Sequence, residues 1–273
     1  MAKLETGTED LLADLEGGVL TLTLNRPQAR NAMSEGMNQA LGQQLAAAEL
    51  NPDVRCVVLT GAGQGFCAGG DVKGMNERNS GSGRPVSIDE AIATQRINQR
   101  ATAGKLFKMA KPTIAALPGA AAGAGLSLAL ACDLRIMAKT AILTTAFARV
   151  GLAGDYGGTY FLTQLVGSAK AREMYFLSDR VSADEALRLG LANWVVEPDE
   201  LAAKTAEIAK RLASGPAVCF RYMKENLNRA MGGEVDECLD LEATHHVHSA
   251  STADHKEAAA AFVAKREPVF QGR

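Results

Sequence analysis

The sequence predicts an α/β core followed by an all-helical C-terminal end, on three observations. Short apolar or alternating strand segments take turns with helical patterns as far as about residue 197. From Pro198 the pattern is helical to about Lys265. Glycine-rich turns, GAGQG at 61–65 and PGAAAGAG at 118–125, fall where apolar strands end. These observations divide the chain into an α/β core, 1–199, and a helical C-terminal region, 200–273.

Residues 19–24 (VLTLTL) alternate apolar residues with Thr, as a half-buried strand does, and Asn25-Arg26-Pro27 stops it. A helix fits from Ser34, with Met37, Leu41, Leu45 and Ala48 on one face, and ends at Asn51-Pro52. Val54–Thr60 is a short apolar run and reads as a buried strand. Residues 73–90 are polar and rich in Gly and Ser, which predicts a surface loop. Pro112–Leu117 is a second buried strand, Gly125–Cys132 a buried helix, and Asp133–Met137 a strand. Helices are expected over Thr159–Val166 and again from Ser168. Ser182 and Glu185 have capping-box spacing at the start of a short helix that ends at Gly190, and Asn193–Val196 is a brief strand.

Composition removes several function classes. A net charge of −2 offers no field of one sign to nucleic acid or anionic lipid. No apolar run approaches the roughly 20 residues of a membrane span. The N-terminal MAKLETGTEDLLADLEGG is acidic and unlike a signal or transit peptide. Five cysteines, Cys56, Cys67, Cys132, Cys219 and Cys238, form an odd, scattered set without a CxxC pair, the usage of reduced thiols in a cytoplasmic protein.

Gly61, Gly63 and Gly65 follow a strand, but GxGxG is not the dinucleotide spacing and no helix pattern begins there. FCAGGD (Phe66–Asp71) carries more information. Its Ala68-Gly69-Gly70 has so little side-chain bulk that a ligand can approach backbone N–H groups. PGAAAGAG repeats the feature just before a buried helix, where free N–H groups and the helix dipole favour negative charge. Each stretch alone is more often a tight turn or a helix-packing device than a binding site. Together they predict donors converging on a developing oxyanion.

LNRPQARNAMS, VVLTGAGQGFCAGGDVKGM, KPTIAALPGAAAGAGLSLALACDLRI, ARVGLAGDYGGT and AAAAFVAKR, in that order, resemble the crotonase family, the enoyl-CoA hydratase/isomerases. The likeness runs from about Leu20 to Arg266. It implies a superhelical core of repeated ββα turns, a C-terminal helical trimerisation region, assembly as a homotrimer or homohexamer, and coenzyme A thioester substrates. No separate cofactor is implied, because coenzyme A enters as part of the substrate. The family's two oxyanion-hole amides carry over to the N–H groups of Ala68 and Ala124, the latter replacing a more usual glycine. Coenzyme A contacts carry over to Arg26, Ala29, Gly70, Asp71 and Val72, and to Phe262 and Lys265 reaching across from the C-terminal region of the same or a neighbouring subunit. Arg26, Arg30, Lys73 and Lys265 are basic groups suited to its phosphates.

Family hydratases use two glutamates, and the matching positions here are Ser127 and Phe147. Neither can act as a carboxylate base. Asp155, in GLAGDYGGT, stands where similar segments of dienoyl-CoA isomerases and of isomerases of phenylacetate degradation carry a proton-moving aspartate. Its neighbours Ala153, Gly154 and Tyr156 would partly desolvate it and raise its pKa. The competing role is helix capping ahead of Gly157-Gly158-Thr159. Leu143, Phe147, Tyr156 and Tyr160 would line an apolar, partly aromatic acyl pocket.

The expectation is an acyl-CoA enzyme that stabilises a thioester enolate and shifts a double bond through Asp155. The alternatives are hydration, hydrolysis or dehalogenation with Asp155 as nucleophile, and a catalytically silent acyl-CoA-binding protein. Ser127 lies in GLSLA, not a GxSxG elbow. His245, His246 and His248 read as a solvated or interface helix face rather than a metal site, and Cys67 as a small packing residue.

Overall fold

The computed structural model describes residues 1–71, 74 and 86–273. Strands β1 (Ala2–Leu4), β2 (Leu11–Glu16) and β3 (Val19–Leu24) form an antiparallel meander at one end of a seven-stranded sheet. From β3 onward the pairing is parallel, through β4 (Cys56–Gly61), β5 (Thr113–Leu117), β7 (Leu134–Ala138) and β10 (Trp194–Val196). Three short strands, β6 (Ala121–Ala122), β8 (Ile142–Thr144) and β9 (Val181–Ser182), make a second, smaller sheet. The architecture is the α/β core with a helical end that the sequence predicts.

Helix α1 (Glu35–Leu50) begins where Ser34 accepts a hydrogen bond from the Met37 N–H, and it buries Met37, Leu41, Leu45 and Ala48. Burial of each of the larger side chains contributes about 1.5–3 kcal/mol. β4 and β5 are buried along almost their whole length, as strands covered on both faces must be. Helix α2 (Ile88–Ala101) starts at a Ser87 cap, so residues 88–90 are helical and not the end of a loop. The rest of that expected loop, apart from Gly74, Val86 and Ser87, lies outside the described residues. A short α3 (Ala103–Lys108) leads into β5.

Helix α4 (Ala124–Ala131) is buried at every position. Helix α5 (Gly158–Leu177) is broken at Gly167, whose φ of 75° and ψ of 164° are not helical, and this separates the two helices expected on either side. At α6 (Ala183–Arg188), Ser182 accepts from the Glu185 N–H at 3.2 Å, but the Glu185 carboxylate turns to Arg188. Only half of the capping box therefore forms.

The helical end comprises α7 (Leu201–Ala213), α8 (Ala217–Ala230), α9 (Val235–Ala250) and α10 (Ala253–Val263). α7 packs on β4, β5 and β7, placing Leu201, Ile208, Ala209 and Ala213 in the main core. α8 is tied to the core by Lys224, which donates to the carbonyls of Leu106 and Lys111 and to Asp133 at 2.8 Å. Among the described residues no helix is long and apolar enough to cross a membrane.

Candidate active site

Because β4 and β5 are parallel neighbours, the chain leaves both at the same end of the sheet, the usual position of a ligand crevice in parallel α/β folds. The two small-residue segments are laced together there. Phe66 and Cys67 both donate to the Ala120 carbonyl, and Ala122 returns a bond of 2.9 Å to the Cys67 carbonyl. A Cβ on Gly69 would stand 2.8 Å from the Ala122 carbonyl and 3.3 Å from the Ala124 nitrogen, and its φ of +92° also favours glycine. Gly125 is closer still: a Cβ there would overlap the Cys67 carbonyl and come within 2.7 Å of the Cys67 Cβ. The glycines are packing devices and ligand openings at once.

Ala124 is the first residue of α4, so its N–H has no carbonyl one turn back to bond. Ala68 is exposed, but its N–H donates to the Arg30 carbonyl at 3.0 Å. The first donor expected from FCAGGD is thus engaged within the chain. Arg30 and Asn31 hold that geometry with φ values of 52° and 55°. The Asn31 amide fixes the turn by donating to the carbonyls of Ala62 and Gly65.

Asp155 is not a cap. The residue before α5 is Gly157, and no side chain caps that helix. The Asp155 carboxylate instead points into the protein. Oδ2 accepts from Gln95 Nε2 at 3.3 Å, while Oδ1 is buried without a hydrogen-bond partner. Burial pushes its pKa up from 3.8 to about 6, against a small opposing effect of Gln95. Gln99, one turn after Gln95 on α2, accepts from the Tyr156 N–H at 2.5 Å, so one face of α2 grips this segment twice. The Tyr156 hydroxyl accepts from Asn38 at 2.6 Å, and burial raises its pKa to about 12.

A chain of contacts links Asp155 to the small-residue segments. Its carbonyl accepts from Gly158 at 3.0 Å, and Gly158 lies directly against the Ser127 hydroxyl, one turn along α4 from Ala124. Ser127 is buried and donates back to the Gly123 carbonyl. Phe147 is also buried, stacked on Tyr175 with ring centres 5.8 Å apart. Gly123, Ser127, Phe147, Gly158 and Tyr175 enclose a space too small for a water-sized body. The expected grouping of acyl-pocket aromatics changes here. Tyr160 joins Phe107 and Phe161 rather than Phe147, and Tyr156 is held by Asn38.

Along Ala68 runs a cavity of about 470 Å³, lined among others by Arg30, Ala122, Thr144, Arg149 and Arg180. Arg149 and Arg180 escaped sequence reading because they come from separate segments, a short 3-10 helix (Ala148–Val150) and the loop after α5. Arg26 was expected among the phosphate-binding groups, and here the structure differs. Its side chain is only 19% exposed and pairs with Asp71 at 3.0 Å and Asp10 at 3.7 Å while donating to the Ala32 carbonyl. Arg26 and Asp71 therefore hold each other, and their segments, together. Ala29 is half-buried beside them, and Gly70 bridges to Met33. Val72 and Lys73 lie outside the described residues. Phe262, 86% exposed, and Lys265 stand at the end of α10 and do not line this cavity.

Of the three histidines, His246 and His248 are exposed, as a solvated or interface face requires, and only His245 departs from that expectation. His245 is buried, stacked on Tyr222 at 4.1 Å and bonded to Asn226. Among the described residues no group of His, Cys, Asp or Glu is arranged to hold a metal ion. Cys67 is fully buried, its thiol pushed up to about 12 by desolvation, which makes it a packing residue and not a nucleophile.

A family model described as enoyl-CoA hydratase/isomerase matches residues 14–273. The 1,2-epoxyphenylacetyl-CoA isomerase of Escherichia coli is 37% identical over 265 residues, covering 97% of this chain and 99% of the relative. The short-chain-enoyl-CoA hydratase of Clostridium acetobutylicum is 35% identical, covering 94% and 96%. The crystal structure of an enoyl-CoA hydratase from a Polaromonas species superposes with a TM-score of 0.88 at 33% identity, over 96% of this chain and 99% of that one. With its parallel core, its two interlaced small-residue turns and these likenesses along nearly its whole length, the chain belongs to the crotonase family of enoyl-CoA hydratase/isomerases, which act on acyl-CoA thioesters.

Proposed function

We propose that this enzyme moves a carbon–carbon double bond within an enoyl-CoA, with Asp155 carrying the proton. The carrying observation is the state of Asp155: a half-buried carboxyl with one buried, unpartnered oxygen, brought by desolvation to about 6, where it can both take and return a proton near neutral pH. Ser127 and Phe147 at the two family glutamate positions, bordering a space that cannot admit water, favour proton shuttling over water activation. The relatives name both reaction types, an isomerase of 1,2-epoxyphenylacetyl-CoA and a short-chain-enoyl-CoA hydratase, so the choice rests on the residues.

In this reading the thioester oxygen sits between the Ala68 and Ala124 N–H groups, taking over the Ala68 donor from the Arg30 carbonyl. The Ala124 N–H, without an acceptor at the head of α4, is the preorganised donor; the Ala68 N–H adds to it only by exchanging its bond to the Arg30 carbonyl for one to the enolate oxygen. Arg30, Arg149 and Arg180 along the 470 Å³ cavity meet the phosphates of coenzyme A. Phe262 and Lys265 would complete that site from a neighbouring subunit of a trimer or hexamer.

The test is turnover of purified 3-enoyl-CoA and 2-enoyl-CoA by the native enzyme and by Asp155→Asn. Double-bond migration by the native enzyme, lost by roughly 10²–10⁴-fold in the variant with coenzyme A binding retained, is expected. Full activity of Asp155→Asn overturns the reading. The second reading, hydration, has the Clostridium relative behind it. It prevails if 2-enoyl-CoA is converted to a hydroxyacyl-CoA and no isomer forms.

A further inference from the structure

Tyr175, on the last turns of α5, has no part in the reading above, yet its ring is placed with unusual care. One face stacks on Phe147, nearly parallel at 12°. Along the ring edge, a Cβ on Gly154 would stand 2.9 Å from Cε1 and 3.4 Å from the hydroxyl. A Cβ on Gly158 would stand 2.6 Å from the hydroxyl. Gly154 and Gly158 bracket Asp155 in the chain, and Gly158 donates to the Asp155 carbonyl. The phenol therefore reaches the Asp155 turn through a gap that only glycines leave open. Two groups on either side of this glycine gap lack partners: among the described residues the Tyr175 hydroxyl makes no hydrogen bond, and Asp155 Oδ1, whose charge the Tyr175 phenol feels, is buried without a donor. One is a donor and the other an acceptor.

We infer that Tyr175 is a positioning residue for Asp155, its hydroxyl donating to Oδ1 when the carboxylate is charged, so that Oδ2 is left to work on the acyl chain. The inference rests on the proposed role of Asp155. Gln95 holds Oδ2 only loosely, at 3.3 Å, as suits an oxygen that must exchange a proton. The Ser127 hydroxyl shares the contact with Gly158 and is the competing acceptor to be tested.

The ionisable groups that face Asp155 are Tyr156 on its own turn and Tyr175 on α5, while α2 presents the neutral Gln95. Burial and the Asp155 charge both hold the Tyr175 phenol above its ordinary range, so it remains a neutral donor throughout the working pH range. A hydrogen bond to the charged carboxylate favours that form and opposes the effect of burial.

The experiment is the pH profile of kcat/KM for enoyl-CoA isomerisation in native enzyme, Tyr175→Phe, Ser127→Ala and Asp155→Asn. Tyr175→Phe removes one oxygen and keeps the stacked ring, so circular dichroism and thermal unfolding should match the native protein. The acidic limb is expected to move up by about half to one pH unit in Tyr175→Phe, with kcat reduced and KM little changed. Ser127→Ala should leave the limb in place. An unmoved limb in Tyr175→Phe, while Asp155→Asn is inactive, overturns the role of Tyr175 alone. A limb that moves in Ser127→Ala but not in Tyr175→Phe overturns it as well. Turnover surviving in Asp155→Asn overturns the role of Asp155 and this inference with it.

Discussion

Burying the Asp155 carboxyl affects stability as well as chemistry. Its pKa in the folded protein, about 6, lies above the ordinary 3.8. Between those values the folded chain holds a proton that the unfolded chain has released. The stabilising contribution is therefore complete below about pH 4 and is lost as pH rises through 6, leaving a buried charge that costs up to about 2 kcal/mol at pH 8. Asp155→Asn should resist urea better than the native protein at pH 8, with the difference gone near pH 4. An equal or reversed difference at pH 8 would contradict this assignment. At this scale the sequence was informative about chemistry and weak on partners. GLAGDYGGT singled out Asp155, but whether it capped a helix or stood inside depended on where α5 begins, and that is Gly157. The Arg26 guanidinium looked free in LNRPQAR, yet Asp10 and Asp71, distant in sequence, claim it.

Two elements meet at the point where Gly125 crosses Cys67. A methyl group at Gly125 would have to displace backbone, because the atom it overlaps is a carbonyl oxygen between two bonded segments. Gly125→Ala is expected to destabilise the protein by about 1–3 kcal/mol and to lower activity by parting the small-residue turns. Urea unfolding together with steady-state kinetics measures both effects. A variant with native stability and rate would show that the turns are not locked there. The strands and helix carrying this crossing were legible, since β4, β5 and α4 are mostly apolar and glycine-rich turns follow the two strands and precede the helix. β1 and β2 were not, because LLADLE has no clean alternation, and β6, β8 and β9 are too short to have a period. The two-glutamine grip of α2 lies in a helix whose exposed face reads as ordinary polar surface.

Across the whole molecule, the helical end is joined to the core by an ion pair between a buried lysine and a half-buried aspartate. Lys224 is 8% exposed, and its ammonium meets Asp133, which also accepts from the N–H and hydroxyl of Thr113 at the start of β5. Lys224→Met removes one charge and leaves the other partly satisfied. Such a change is expected to cost about 2–4 kcal/mol and to raise hydrogen exchange in α8 before the sheet. Unchanged stability with unchanged exchange in α8 would place the attachment elsewhere, for example in α7 alone.

The sequence by itself determined the alternation of strand and helix, the helical end, the break at Gly167, the pairing of two small-residue turns and the absence of glutamates at 127 and 147. All of these depend on residue type and local spacing, which a chain carries wherever it folds. Tertiary structure decided the remainder. It directed the Ala68 N–H to the Arg30 carbonyl, took Arg26 out of the binding face, brought Arg149 and Arg180 to one cavity, and set Tyr175 and Gln95 around Asp155. Those outcomes depend on which distant groups compete for the same hydrogen bond or the same space, and local spacing carries no record of that competition.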